Sequence, residues 1–98
     1  MTGELCVART PQDAADSFDD GSILVVPFTN NDFLPAMKRA SAIIVEEGGI
    51  GSHAAIVGLA LEIPVVVGAA NATQILKSGS VVTIDAGRGI VYYGVTKI

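Results

Sequence analysis

The chain reads as a single α/β domain whose sheet has strands in mixed directions, and three observations predict it. Short aliphatic runs alternate with helix-start signals through the middle of the sequence. Three of those runs, 23–26, 42–45 and 64–67, are apolar at every position, as strands covered on both faces are. Two β-branched stretches flank Gly87-Arg88-Gly89 and read as a closing hairpin. Strands joined through helices run parallel, and the hairpin adds an antiparallel pair, hence a mixed sheet with flanking helices.

Each element has its own signal. Residues 5–8 (LCVA) are a short apolar run and predict a first strand, with Cys6 in the core. In "TPQDAADSF", Thr10 suits an N-cap, Pro11 the first helical position and Asp13 the first turn. "DDG" at 19–21 is a turn, and 23–26 the next strand. "TNNDFLPAMKRA" offers Asn30 or Asn31 as a cap for a second helix ending near Ala40; Pro35 requires that helix to start late. Residues 42–45 are a strand, Glu46 and Glu47 a solvated loop edge, and a helix is expected from about Ser52 to Leu61. "IPVVVG" is a further strand and "NATQIL" a short capped helix. Asp85, before the hairpin turn, reads as a turn residue making local hydrogen bonds.

Composition narrows the function classes. The 98 residues suffice for one core and one domain, 1–98, built from Val, Ile, Leu and Ala, since only 5% are aromatic and tryptophan is absent. The formal charge is −4 and the six basic residues are scattered, which argues against nucleic acid or an anionic membrane as partner. A lone cysteine allows no internal disulfide, and a reducing, cytoplasmic setting is expected. No basic stretch leads into an apolar run at the start, so no signal peptide is expected. The uncharged stretch Gly48 to Leu61 is glycine-rich and too short to span a bilayer.

The segment with most chemical content is "EEGGIGSHAAIVG", residues 46–58, which holds the only histidine. A strand, a glycine loop and a helix start together make an anion-binding geometry. The first helical N–H groups lack intrahelical acceptors, and the macrodipole adds about half a positive charge. Gly48, Gly49 and Gly51 let the backbone approach a bound group, Ser52 can cap the helix, and the Ala54 N–H faces the same point. The imidazole of His53, in its neutral form, is a nucleophile able to accept a phosphoryl group. The segment lacks the Gly-Lys-Ser/Thr ending of a P-loop and the GxGxxG fingerprint, so a first-turn histidine without catalytic duty also fits the spacing.

Two features sharpen this reading. The helix carries no charge from His53 to Leu61: His53, Ile56, Val57 and Ala60 share one face, Ala55, Leu59 and Ile63 another. A helix apolar all round is buried all round or covered by another body. Between Arg39 and Lys77 there is no lysine or arginine, so cations for any phosphoryl transfer must come from elsewhere. The segment is half of a site.

"EEGGIGSHAAIVGLALEIPVVVG" (46–68) resembles the phosphohistidine signature of the phosphoenolpyruvate-utilising enzymes. His53, Ser52, Gly48, Gly49, Ile63, Pro64 and Gly68 carry the match, and Glu46 takes the place of a family acidic residue. "VVPFTNNDFLPAMKRASAIIVEEGG" and "TIDAGRGIVYYG" look like the family's flanking elements, which extends the resemblance over about 22–94. It implies a swivelling β/β/α domain in which His53 is the phosphoryl acceptor and Gly48, Gly49, Gly51, Ser52 and Ala54 hold the phosphate. No metal or cofactor is expected on this domain; Mg²⁺ is expected on a partner catalytic barrel that binds phosphoenolpyruvate, within an oligomeric parent. The branch most like this chain is the extra C-terminal domain of Bacillus-type pyruvate kinases, and residues 1–10 resemble the segment that joins it to the kinase. The chain departs from the family at Val45 and Gly51, where threonine is usual, and at Leu59, where arginine is usual. The resemblance therefore implies an accessory domain of a pyruvate kinase, with an active phosphocarrier as the alternative. The loop itself also suits a small-anion-binding module without turnover.

Overall fold

The computed structural model describes residues 2–18, 20–48, 53–85 and 90–93. Its strands are β1 (Thr2–Val7), β2 (Ile23–Val26), β3 (Ala42–Val45), β4 (Val65–Val66), β5 (Val81–Asp85) and β6 (Ile90–Tyr93). Its helices are α1 (Pro11–Ser17), α2 (Leu34–Arg39), α3 (His53–Leu61) and α4 (Ala72–Ile75), with a single 3-10 turn at Asn31–Phe33 before α2. The strands form one sheet in the order β4-β3-β2-β1-β5-β6. The first four are parallel, whereas β5 pairs antiparallel with β1 and with β6. The mixed sheet with flanking helices is thus the architecture observed; the 86–89 turn of the hairpin lies outside the described residues.

Chain direction decides which face each helix covers. From β1 to β4 each strand is laid down on the same side of its predecessor, and right-handed crossovers then put α1, α2 and α3 on one face. Ala14, Phe18, Ala36, Met37 and Ala54 pack there against Cys6, Leu24, Val26, Ile43 and Val45. The return from β4 to β5 runs across the other face, where Ala72 and Leu76 of the α4 region meet Leu5, Ile23, Val25, Ala42, Ile44, Val82 and Ile84. Successive residues of β2 and β3 point alternately into these two cores, which is why both strands are apolar at every position.

The start of α1 is as the sequence predicts: Thr10 Oγ1 accepts from the Asp13 N–H at 3.1 Å, with Pro11 at the first helical position. Of the two candidate caps for the second helical segment, Asn30 is the one used. Its Oδ1 accepts from the Asp32 N–H at 2.9 Å, and Pro35 falls in the first turn of α2.

Three expectations shift. β1 starts at Thr2 rather than Leu5, because Thr2, Gly3 and Glu4 pair with Thr83, Val82 and Val81, while the apolar Leu5–Val7 pair with β2. The apolar run marks only the part of the strand set beside β2. β4 shrinks to two residues and, of residues 64–67, only Val66 is buried, since this is an edge strand held between two fixed ends. The Ile63 N–H is tied to the Gly58 carbonyl at 3.1 Å, and Gly68 turns the chain with φ +70°. Finally, Asn71 precedes α4 in a left-handed conformation, φ 62°, and makes no capping bond with its side chain.

The end of α3 has a left-handed residue where glycine is usual. The Glu62 N–H donates to the Leu59 carbonyl and the Ile63 N–H to that of Gly58, a Schellman pair, with Glu62 at φ 59°. Glu62→Gly is expected to raise stability by about 1 kcal/mol, because glycine takes this conformation without the Cβ clash. A thermal melt reads the change; an unchanged or lower midpoint would contradict it.

Candidate functional site

The carboxyl ends of β2 and β3 stand side by side and position the site. Beyond β2 the chain passes through Thr29 and Asn31; beyond β3 it enters the glycine segment and returns as α3, with His53 its first residue. The ladder continues past the strands, as the Glu46 and Glu47 N–H groups donate to the Val26 and Pro27 carbonyls at 3.1 and 3.0 Å. The Gly68 N–H donates to the Glu47 carbonyl at 3.0 Å, so the start of the loop is pinned on both sides.

His53 is half-buried and both ring nitrogens are engaged. Nδ1 lies 2.7 Å from Oγ1 of Thr29, a buried residue, and Nε2 lies 3.1 Å from Oδ1 of the exposed Asn31. An amide oxygen only accepts, so Nε2 carries the ring proton in this arrangement and the Thr29 hydroxyl donates to Nδ1. The alternative tautomer needs no movement of Thr29, since a hydroxyl can accept from Nδ1–H instead. It does need the Asn31 amide to turn or leave before an Nε2 lone pair faces outward.

The other predicted residues divide in two. Ala54 is buried under α3 in the first turn, and Gly48 is exposed at the start of the loop. Among the described residues, a Cβ on Gly48 would meet only the Gly68 Cα at 3.7 Å, an ordinary contact, so these neighbours do not demand glycine there. Gly49, Gly51 and Ser52 lie outside the described residues.

The sequence alone does not mark Thr29, and it marks Asn31 only as a candidate helix cap. Thr29 and Asn31 belong to "PFTNND", a polar cluster just after an all-apolar strand; that position was the available signal, although helix capping alone accounted for the asparagines. Glu46 corrects the expectation of a solvated loop edge. It is half-buried, and its Oε2 accepts from the Thr73 N–H at 2.8 Å and the Thr73 hydroxyl at 2.7 Å. A carboxylate from the β3 loop thereby caps α4, the service Asn71 does not give. Arg9 completes the link, donating to the Thr73 carbonyl at 2.8 Å.

Thr29→Val keeps the shape of the side chain and removes its hydroxyl. The expected result is a loss of about 1 kcal/mol and a histidine ring no longer held in one orientation, read by melting and by ring ¹⁵N resonances. A ring spectrum identical to that of the unaltered chain would show that Thr29 does not orient His53.

Residues 18–89 match the family described as PEP-utilising enzyme, mobile domain. This chain belongs to that family. It is 50% identical over 92 residues to a pyruvate kinase of Bacillus licheniformis, covering 94% of this chain and 16% of that protein. It is 48% identical over 96 residues to a phosphoenolpyruvate synthase of Aeropyrum pernix, covering 98% of this chain and 12% of that one. The solution structure of an Enzyme I protein superposes with a TM-score of 0.67 at 30% identity, over 82% of this chain and 33% of its own. The chain thus spans less than a fifth of the length of these curated relatives, in which it corresponds to one domain of a larger enzyme. No helix among the described residues is long and apolar enough to cross a membrane.

Proposed function

We propose that this chain serves as an accessory domain of a pyruvate kinase, lying at the C-terminal end of the parent enzyme, docking on the kinase body and tuning its stability or allosteric balance. The observation that carries this reading is the bare face of α3. Leu59 is 83% exposed and Ile56 60%, one helical turn apart on a helix with no charged side chain. Apolar groups of this size side by side call for a covering surface, and the catalytic barrel of the parent supplies one. Leu59 stands where the family's arginine would bring a cation towards His53, so the same substitution favours docking and disfavours phosphate chemistry.

A second reading keeps His53 as a phosphoryl carrier, and the Thr29 bond favours it. Once the Asn31 amide turns away and the ring proton moves to Nδ1, where Thr29 Oγ1 can accept it, Nε2 would attack phosphorus as the donor's P–O bond breaks and an N–P bond forms. Mg²⁺ and the charges that stabilise the transferred group would belong to the partner barrel.

One experiment separates the readings. The domain is incubated with the catalytic barrel of a phosphoenolpyruvate synthase, Mg²⁺ and phosphoenolpyruvate, and its intact mass is followed. One acid-labile phosphoryl group, lost in His53→Ala, supports the carrier. No modification, together with a lower melting temperature or altered activation of a parent kinase lacking the domain, supports the accessory role.

A further inference from the structure

A cavity of about 290 Å³ opens at the carboxyl end of β1, away from the histidine. It is lined by the apolar Val7 and Leu76 and by the polar Arg9, Thr73, Gln74, Lys77 and Ser78. The position follows from the topology. β1 leaves towards α1 on one face, while the chain arriving at β5 comes from α4 on the other, so the two connections part around β1. Crevices at the carboxyl ends of strands, where successive connections diverge, are where open α/β sheets take ligands.

The charge here runs against the rest of the molecule. The chain is net acidic and has six basic residues; Arg88 and Lys97 lie outside the described residues, which leaves four. Two of those four line this one cavity. Among the described residues the ion pair formed is that of Arg39 with Asp20, so neither Arg9 nor Lys77 is neutralised by a carboxylate. The nearest acid in the network, Glu46, is occupied by two hydrogen bonds from Thr73. Arg9 is held in place by its bond to the Thr73 carbonyl and keeps further N–H groups to offer. The Ser78 Oγ accepts from the Val7 N–H at 2.8 Å, which leaves the hydroxyl proton free to donate.

We infer that this cavity binds the phosphate group of a small phosphate monoester, through Arg9, Lys77 and the Ser78 hydroxyl. Two cations and a hydroxyl lining one cavity suit a dianion, and the guanidinium fork matches phosphate oxygens. The volume admits a phosphate with a short polar skeleton and nothing much larger. The site shares no residue with the His53 cluster, so it stands or falls apart from the proposed function.

The test is a titration of the ¹⁵N-labelled chain with glycerol 3-phosphate. Saturable one-to-one shifts are expected at Thr73, Lys77 and Ser78, with a Kd of about 1 mM or below. Lys77→Ala weakens binding about tenfold, Lys77→Arg changes it less than about threefold, and raised salt weakens it. His53→Ala leaves the shifts in place, which excludes binding at the glycine segment. Absence of saturable shifts, an unaffected Lys77→Ala variant, or shifts that vanish in His53→Ala would overturn the inference. So would inorganic phosphate binding as tightly as the ester.

Discussion

Phe33→Ala is expected to cost about 3–5 kcal/mol, a large share of the stability of a domain this size. Phe33 is fully buried in the helix-side core, and its ring stands edge-on to Phe28 with centroids 6.0 Å apart. Nothing near it can collapse into the gap cheaply. Its neighbours Leu24, Val26 and Met37 are fixed in a strand or helix and already packed from other sides. The melting temperature should fall by roughly 15 °C or more, whereas Phe33→Leu, which refills most of the space, should lose about half as much or less. The site should feel the change as well. Phe33 closes the 3-10 turn whose other residues include Asn31, and Thr29 lies four residues before it, so this ring anchors the segment that holds His53. Loss of a single ring tautomer in a Phe33→Ala protein still folded at low temperature would show that coupling. A melting temperature within a few degrees of the unaltered chain would sink the prediction.

How far the sequence reveals this arrangement depends on whether a signal is local. Thr10-Pro11 and the four-residue strands 23–26 and 42–45 are legible because cap chemistry and apolar runs are written in consecutive residues. β1 extends beyond its apolar run because half of its partners come from β5, some eighty residues away, and pairing with that strand leaves no apolar run in Thr2–Glu4. The site divides in the same way. His53 stands out beside its glycines, but Thr29 is selected only by the parallel packing of β2 against β3, and Glu46 only by the return of the chain through α4. Strand order is a property of the whole chain, and it creates both partnerships. The exposed face of α3 was half legible: its lack of charge predicts burial or cover, and the structure shows which of its residues are left bare.

Gly58→Ala is the second large effect, and it bears on that face. Gly58 is buried at the contact of α3 with β4, and an added Cβ would lie 2.1 Å from Val65 Cγ2 and 3.3 Å from Val65 Cβ. Valine is branched at Cβ and cannot swing its methyl aside without losing its rotamer. The Ile63 carbonyl, 3.6 Å away, borders the same space, and Gly58 and Ile63 are themselves joined by the hydrogen bond that ends the helix. Alanine gains about 1 kcal/mol of helix propensity at such a position, but overpacking of this kind typically costs 1–3 kcal/mol, and here the overlap is deep. The expected outcome is a net loss of about 2 kcal/mol with α3 displaced outwards from β4. Val65→Ala in the same chain should recover part of it, so that the double variant is more stable than the sum of the two single changes predicts. Displacement of α3 would also draw His53 away from Thr29, because the ring sits on the first residue of the helix. Glycine at 58 therefore does two things at once: it lets the helix sit against the edge strand, and in doing so it holds the histidine at the strand ends while Ile56 and Leu59 face outward. A Gly58→Ala chain as stable as the original, with its ring spectrum unchanged, would show that α3 is positioned by something other than this close approach.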